Sequence, residues 1–421
     1  MYFDDIHIRK NFFQKCTELL FTLYIISLYL FELNKKRLII SQTIFIAFAG
    51  FAVLNILYRR RIYIGKGVAA AYIFFVYVFA SALWAQNRNI ALSNAMTIFQ
   101  VFVLFYFVYN TFYEMPDYKE TVLRALFLAG AALCIYSFKI YGFQGIVDGL
   151  MQGKRLGRKI SQENVFGMQL AITASISFFY WYIKGKNRLF YMSVMCVSFI
   201  IAMSSGSRKA LIIFVLSVFY MIFMKYGLRQ MYKSIIVFLI LFPIFVSVIK
   251  MPIFKMVTER MEGVINVLQN DSGQEDSAVF RRGFIKTGWD LFKQNPLIGY
   301  GANNFRIASN TGLYSHNNFI EILTDFGLIG FMLYYSLYIL AYKNVNKEND
   351  DEGRFFKMFF IARLFIEIAD VCYFDKLTWV YFAVWLVPCI EDNKYIRGIL
   401  KKQSETGEKT NQLAGTEGDL A

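Results

Sequence analysis

The chain has 421 residues, of which 57% are hydrophobic and only 18% are charged. A soluble protein of this size would need more polar residues to cover its surface, so the composition predicts an integral membrane protein. The apolar runs are continuous and the chain has only five prolines, which favours membrane-spanning helices. The net charge of +15 does not by itself predict nucleic-acid binding, because basic residues in a membrane protein first report topology and contacts with lipid head groups.

The apolar segments predict an all-α, polytopic membrane protein with about twelve transmembrane helices of roughly twenty residues each. In chain order, the spans are expected near residues 16–33, 38–58, 67–85, 94–113, 121–141, 164–183, 189–205, 208–225, 234–250, 316–342, 355–372 and 376–390. The membrane domain is therefore expected over residues 1–390. One polar loop, residues 251–315 between the ninth and tenth spans, is exceptionally long. The tail at 391–421, rich in Lys, Glu, Gly and Thr, is expected to be disordered.

Lys and Arg near the ends of short loops predict the orientation of the chain in the membrane. With the N-terminus inside, the basic loops near 59–66, 184–188, 225–233 and 343–357 face the cytoplasm, as does the basic tail. Both termini are then cytoplasmic, and the long loop is extracytoplasmic. The basic hairpin at 35–37 departs from this rule.

A second group of cations lies on the outer side of this arrangement, against the topological bias. It comprises Lys154, Arg155, Arg158, Lys159, Arg208, Lys209, Arg281 and Arg282, and His316 opens the tenth span on the same side. An ionisable side chain at the mouth of a membrane helix is costly to keep there. These residues therefore predict an anionic ligand at the outer leaflet.

Arg208 follows Ser205, Gly206 and Ser207 at the junction of two apolar spans. One interpretation is an interfacial arginine that extends toward lipid head groups, as is common at helix ends. The other is a phosphate site, because a tight polar turn that opens a helix presents backbone N–H groups beside the guanidinium. The residues alone leave both interpretations open.

In the long loop, apolar residues at helical spacing predict an amphipathic helix over 279–294 that packs on the membrane domain. An Asn-Pro pair ends this helix, and two glycines after it permit a tight turn. Arg281 and Arg282 lie near the helix N-terminus, where cations are electrostatically unfavourable. The alternatives are a solvated basic helix start and an anion held by these arginines.

His316 is one of two histidines in the chain. It is followed by Asn317, and then by Glu321 and Asp325, which lie one helical turn apart on one face. A histidine near a helix start, with Ser315 as the cap, is more often structural than catalytic. The residues alone leave a structural and a catalytic role open.

Arg363, Glu367 and Asp370 are spaced four and three residues apart in the predicted eleventh span, so they are expected on one helical face. We favour an internally paired structural stripe. Charged residues at membrane depth also mark proton or substrate pathways, so the stripe is the main sequence support for the alternative of a transporter or flippase.

Three ordered elements over about residues 150–340 resemble the O-antigen ligase and polymerase family of envelope-polysaccharide enzymes. The first is Ser-x-Ser-Arg, ending at Arg208. The second is an arginine followed by a helix that ends in Asn-Pro-Leu-Ile-Gly, with its proline at Pro296. The third is His316-Asn317, followed nine residues later by Gly-x-x-Gly.

By spacing to Pro296, the family's loop arginine matches Arg281, with Arg282 as the alternative. Arg158, with an Asn-x-x-Gly sequence after it, loosely resembles the family's basic loop, although contacts with lipid head groups explain it almost as well. The site expected from the resemblance comprises the base His316, the diphosphate ligands Arg208, Arg281 and Arg282, and the secondary residues Asn317, Glu321 and Arg158.

The resemblance implies a lipid-carrier-dependent glycosyl transfer at the outer face of the bacterial cytoplasmic membrane. A glycan on undecaprenyl diphosphate would move to an acceptor sugar hydroxyl, with inversion of the anomeric centre. Ligase and polymerase share this site and differ in the acceptor, so the sequence leaves both open.

No metal or cofactor is expected, because the outer loops carry only scattered carboxylates such as Asp271, Glu275 and Asp276, and no nucleotide-binding loop is present. The energy for the reaction would enter with the substrate. The expected partners are a carrier-linked oligosaccharide, an acceptor glycan or glycolipid, and membrane lipids. Flippase and chain-length regulator proteins are further expected partners, whereas nucleic acid is not expected.

Overall fold

The computed structural model describes residues 10–31, 37–152, 154–226 and 277–389, together with the isolated positions 232, 236 and 239. Regular structure in this part of the chain is helical, without a β-strand. The helices are α1 (Phe12–Phe31), α2 (Leu38–Arg59), α3 (Lys66–Ala80), α4 (Arg88–Phe112), α5 (Tyr118–Met151), α6 (Glu163–Tyr182), α7 (Arg188–Ser204), α8 (Arg208–Tyr226), α9 (Ser277–Gln294), α10 (Phe305–Ala308), α11 (Asn318–Val345), α12 (Asp351–Glu367) and α13 (Lys376–Leu386).

The predicted all-helical membrane fold is confirmed. Within the described ranges, six helical segments are long and apolar enough to cross a membrane: Leu38–Arg59, Lys66–Leu83, Arg88–Phe112, Tyr118–Met151, Arg208–Tyr226 and Asn318–Val345. The count of twelve spans and their orientation stay predictions. Most of the predicted ninth span, the loop residues 251–276 and the tail lie outside the described residues. The amphipathic helix expected over 279–294 is confirmed as α9.

The long apolar helices bury only part of their surface inside the protein. In the most apolar window of α2, 22% of the residues are buried, and in that of α5 the share is 56%. Helix α1 packs against α2 and α5, α6 packs against α7 and α8, and α11 packs against α3 and α13. The apolar surface that remains outside these contacts is the kind that lipid covers in a membrane protein.

Helix α11 is broken at Gly327, whose backbone angles (φ 64°, ψ −165°) are not helical. A break leaves backbone N–H and C=O groups without partners inside the helix, which is costly in apolar surroundings. Residues 296–301 run beside the break and supply those partners. Leu328 N donates to Pro296 O at 2.8 Å, and Ile329 N donates to Leu297 O at 3.2 Å.

The same loop also bonds to the part of α11 before the break. Tyr300 N donates to Thr324 O at 2.9 Å, and Gly301 N donates to Asp325 O at 2.7 Å. Only glycine permits so close an approach of two backbones, because a Cβ on Gly299 would lie 2.5 Å from the carbonyl carbon of Asp325. The glycines of the loop and the glycine at the helix break therefore belong to one backbone contact.

The carboxylate of Asp325 fixes the next part of the chain. Its Oδ2 accepts a hydrogen bond from Asn303 N at 2.8 Å, and its Oδ1 accepts one from Phe305 N at 2.7 Å. The hydroxyl of Tyr373 donates to Oδ2 at 3.2 Å. Asp325 is fully buried, so these donors replace the water that a carboxylate would otherwise bind.

Gly327→Ala is expected to destabilise the protein far more than Gly142→Ala. Both glycines break an apolar helix with a positive φ (64° and 67°) and an extended ψ (−165° and 174°), a conformation nearly restricted to glycine, so each alanine carries about 1–3 kcal/mol of backbone strain. A Cβ at Gly327 would also lie 2.3 Å from the carbonyl carbon of Leu297, whereas a Cβ at Gly142 has no neighbour within 4 Å.

Thermal denaturation in detergent, followed by size-exclusion chromatography, measures the difference. We expect Gly142→Ala to lower the apparent Tm by a few degrees and Gly327→Ala to prevent recovery of folded protein. Equal losses in the two variants would contradict the assigned contact between the loop and the break.

Candidate active site

Helix α9 is held on the first part of α11 by a close contact at Gly288. A Cβ on Gly288 would lie 2.2 Å from Cγ2 of Ile320, and Oγ1 of Thr324 donates to Gly288 O at 3.1 Å. Arg281 and Phe284 lie about two turns and one turn before Gly288 on the same face of α9. The contact therefore directs both side chains toward the start of α11.

His316 lies in the turn that precedes α11 and has a left-handed backbone, with φ 58°. That conformation costs a non-glycine residue about 1–2 kcal/mol, so neighbouring hydrogen bonds must hold it. Oε2 of the fully buried Glu321 accepts from Ser315 N at 2.6 Å, and Oγ of Ser315 accepts from Asn317 N at 3.2 Å. Oδ1 of Asn317 caps the helix by accepting from Ile320 N at 3.0 Å. The N-cap is thus Asn317, and the expectation of a Ser315 cap is wrong.

The imidazole of His316 contacts two aromatic rings. The ring of Tyr314 lies 4.1 Å away between centroids, and the ring of Phe284 lies 6.1 Å away at an interplanar angle of 22°. Burial raises the pKa of Tyr314, and the side chain of Gln162, just before α6, acts on its hydroxyl in the opposite direction. Helix α9, the loop before α6 and the turn before α11 therefore meet at His316.

The pKa of His316 is lowered from 6.5 to about 4. Burial of the imidazole is the largest cause, because burial disfavours the charged form. The positive charges of Arg281 and Lys209 lower the pKa further, whereas the negative charge of Asp370 raises it. His316 is therefore neutral, and able to accept a proton, at every pH well above 4.

Lys209 and Asp370 form an ion pair in this cluster, with 3.0 Å between Nζ and Oδ2. Lys209 follows Arg208, the half-buried first residue of α8. The tight turn predicted at 205–207 is confirmed, with Gly206 at φ 62°, and Oγ of Ser207 accepts from the N–H of residue 210 at 3.4 Å. The turn thus opens α8 beside the His316 cluster.

Residues around α6 support the turn at 205–207. A Cβ on Gly167 would lie 2.2 Å from Oγ of Ser205, so α6 and the turn are in direct contact. Nε of Arg155 donates to Ser205 O at 3.0 Å, and its Nη2 donates to Oδ1 of Asn164 at 2.9 Å. The Asn and Gly of the Asn-x-x-Gly sequence therefore both position the turn.

The predicted cationic residues differ in burial and in their distance from His316. Arg281 is half-buried and acts electrostatically on His316, whereas Arg282, the next residue, is exposed. The side chain of Arg158 is 91% exposed, and its carboxylate partner Glu163 is 3.8 Å away. The structure thus brings Arg281 to the histidine and leaves Arg158 at the rim.

The charged groups nearest His316 are cations with a single carboxylate among them, a set that suits an anionic ligand. Across residues 10–31, 37–152, 154–226 and 277–389, no group of three or more His, Cys, Asp or Glu is placed to hold a metal ion.

Comparison with protein families bears directly on this site. Residues 193–335 match the family model Wzy_C, described as O-antigen ligase. This segment is similar to O-antigen ligase domains. The match confirms the resemblance to the O-antigen ligase and polymerase family and includes Arg208, Arg281 and His316. A comparison with curated proteins gives no match.

The expectation that Arg363, Glu367 and Asp370 form an internally paired stripe on one helical face is wrong. Helix α12 ends at Glu367, so Asp370 lies in the following turn and pairs with Lys209. Nη2 of Arg363 lies 3.3 Å from Oδ2 of Asp375, and Glu367 is bonded to tyrosine hydroxyls of α11. Each of the three charges therefore has a partner outside the stripe.

Sequence reasoning missed two contributors to the site. Phe284 lies three residues after Arg281, and this helical spacing could have placed its ring on the same face. Asp370 gave no comparable signal, because its position depends on where α12 ends. It also lies beyond the matched O-antigen ligase domain.

His316 is expected to titrate near pH 4, and Arg281→Gln should raise its midpoint by removing a nearby positive charge. The midpoint is measured by NMR on protein labelled with ¹³C-histidine. The chain has two histidines, so two signals are expected. A His7→Ala variant assigns the signals. A midpoint near 6.5 in the unchanged protein would contradict the described surroundings of the imidazole.

Lys286→Gln is the matched control, since Lys286 is an exposed cation of α9 and is not among the charges that act on His316. It should leave the midpoint unchanged.

Proposed function

We propose that this protein transfers a glycan from undecaprenyl diphosphate to an acceptor sugar hydroxyl at the outer face of the bacterial cytoplasmic membrane. The O-antigen ligase domain implies a glycosyl-transfer enzyme, and the apolar helices indicate an integral membrane protein. The observation that carries the finer proposal is a histidine that burial keeps neutral, with the cations Arg281 and Lys209 close enough to lower its pKa further.

The cations are proposed to bind the diphosphate of the carrier lipid. Arg281 and Lys209 both act on the imidazole of His316, so an anion bound beside that ring would interact with both charges. Arg208 is adjacent to Lys209, and the turn before it opens α8 in the manner of phosphate-binding helix starts. These groups would stabilise the negative charge that develops as the diphosphate leaves.

In the proposed reaction, the acceptor oxygen attacks the anomeric carbon on the side opposite the diphosphate. The new carbon–oxygen bond forms while the bond to the diphosphate oxygen breaks, and its electron pair stays on the leaving carrier. The anomeric centre is inverted. His316 accepts the proton of the acceptor hydroxyl.

The binding of donor would adjust the basicity of His316. A pKa of about 4 makes the imidazole a weak base in the empty site. A diphosphate would offset the charges of Arg281 and Lys209, so it would raise that pKa toward neutrality. The carrier diphosphate is itself the leaving group, so the proposed step needs no nucleotide. Arg208, Lys209 and Arg281 would neutralise its charge in place of a metal ion.

A transporter or flippase was the alternative drawn from the sequence, and it is not supported. It depended on Arg363, Glu367 and Asp370, which have separate local partners. The matched domain is instead described by an enzymatic activity.

Purified protein in detergent is expected to transfer glycan from the carrier diphosphate without nucleotide or added metal. A ladder of longer carrier-linked chains, with the repeat unit as sole substrate, would establish a polymerase. Transfer only after addition of a lipid A core or another acceptor glycan would establish a ligase. Inactivity with every acceptor would contradict the proposal.

In this assay, Arg281→Ala, Arg208→Ala and His316→Ala should each reduce transfer by roughly 10²- to 10³-fold, the size of effect seen when one charge-stabilising group is removed. Arg282→Ala should have a much smaller effect, and Lys286→Ala, another exposed cation of α9, should retain activity. Full activity of His316→Ala would exclude its role as the base.

A further inference from the structure

Glu367 is a fully buried carboxylate outside the residues assigned to the transfer reaction. It accepts hydrogen bonds from the hydroxyls of Tyr334 and Tyr335, both at 2.9 Å, and from the hydroxyl of Tyr338. Nδ2 of Asn318 donates a further hydrogen bond at 3.0 Å. These four donors satisfy the hydrogen-bonding capacity of a carboxylate that is buried away from solvent.

Asn318 connects this carboxylate to the turn after α12. Its Oδ1 accepts from Cys372 N at 2.8 Å and from Tyr373 N at 3.1 Å, while its Nδ2 is committed to Glu367. One buried amide thus uses both of its ends, and Glu367 fixes which end faces the turn.

The neighbouring Asn317 holds the other end of the same turn. Its Nδ2 donates to Ile368 O at 3.0 Å while its Oδ1 caps α11. Residues 368–373 are therefore bound at both ends to the two asparagines that directly follow His316.

Asp370 lies inside the turn that is held in this way. It pairs with Lys209 at 3.0 Å, and its charge acts on His316. The distance between Asp370 and the imidazole therefore depends on the bonds at Asn317 and Asn318, because α12 ends at Glu367 and Asp370 lies beyond the helix.

We propose that Glu367 and Asn318 are positioning residues for glycan transfer, which hold Asp370 beside Lys209 and His316. This inference rests on the proposed function. Two apolar side chains at these positions could fill the same volume. They would, however, leave the backbone N–H groups of Cys372 and Tyr373 without an acceptor.

Asn318→Ala is expected to reduce transfer by roughly 10- to 100-fold, because a displaced Asp370 would no longer hold Lys209 in place, and a shift of about 1 Å in a site can cost about 100-fold. Asn344→Ala is the matched control. Asn344 lies on the same helix and donates to Trp385 O and Leu386 O at 3.4 and 3.1 Å, at the far end of α11. It should retain activity.

A double-mutant cycle separates positioning from a general loss of structure. In the Asp370→Asn background, Asn318→Ala should cause little further loss, because the group it positions is already changed. Losses that multiply would overturn the proposal. If Asn318→Ala does not fold, the milder Tyr335→Phe, which removes one hydrogen bond from Glu367, takes its place in the cycle.

The double exchange Asn318→Asp with Glu367→Gln reverses the direction of their hydrogen bond and conserves the total charge. It should recover part of the activity that either single exchange loses, and an absence of recovery would contradict the assigned bond.

The titration of His316 tests the same point without an activity readout. Asn318→Ala should lower the midpoint in the same direction as Asp370→Asn, and Asn344→Ala should not. Inactivity of the unchanged protein would therefore contradict the proposed function alone, whereas an unmoved midpoint in Asn318→Ala would overturn the positioning role.

Discussion

The backbone contact between residues 296–301 and the break in α11 at Gly327 is the constraint on which the site depends. An apolar helix cannot be interrupted unless other groups satisfy its freed N–H and C=O groups, and the loop supplies them. Because the loop directly follows α9, the same contact fixes α9 on α11. Arg281 and Phe284 therefore lie near His316 because the loop that follows α9 is hydrogen-bonded to the break in α11.

The electrostatics of the site follow from that assembly. Burial and the nearby cations keep His316 neutral, and Asp370 partly offsets those cations. An empty site of this kind has an excess of positive charge, which an anionic donor would relieve. In the proposed function, the binding of a diphosphate would therefore change the basicity of the histidine that receives the proton.

Sequence reasoning predicted the parts of the fold that depend on local pattern. The spacing of apolar residues predicted α9, and Ser205, Gly206 and Ser207 predicted a tight turn before α8. The place of Asp370 was not predictable in this way, because α12 ends where side chains of Asn317 and Asn318, some fifty residues earlier, bind the following turn. Long-range hydrogen bonds of that kind leave no periodic trace in the sequence.

The most direct test of the account is the titration of His316 in the presence of a short isoprenyl diphosphate such as farnesyl diphosphate. An anion bound between Arg281, Lys209 and the imidazole should raise the midpoint from about 4 by roughly one unit or more. Inorganic sulfate at equal ionic strength is the control for screening. A midpoint that does not move with the diphosphate would contradict the claim that this cluster is the donor site.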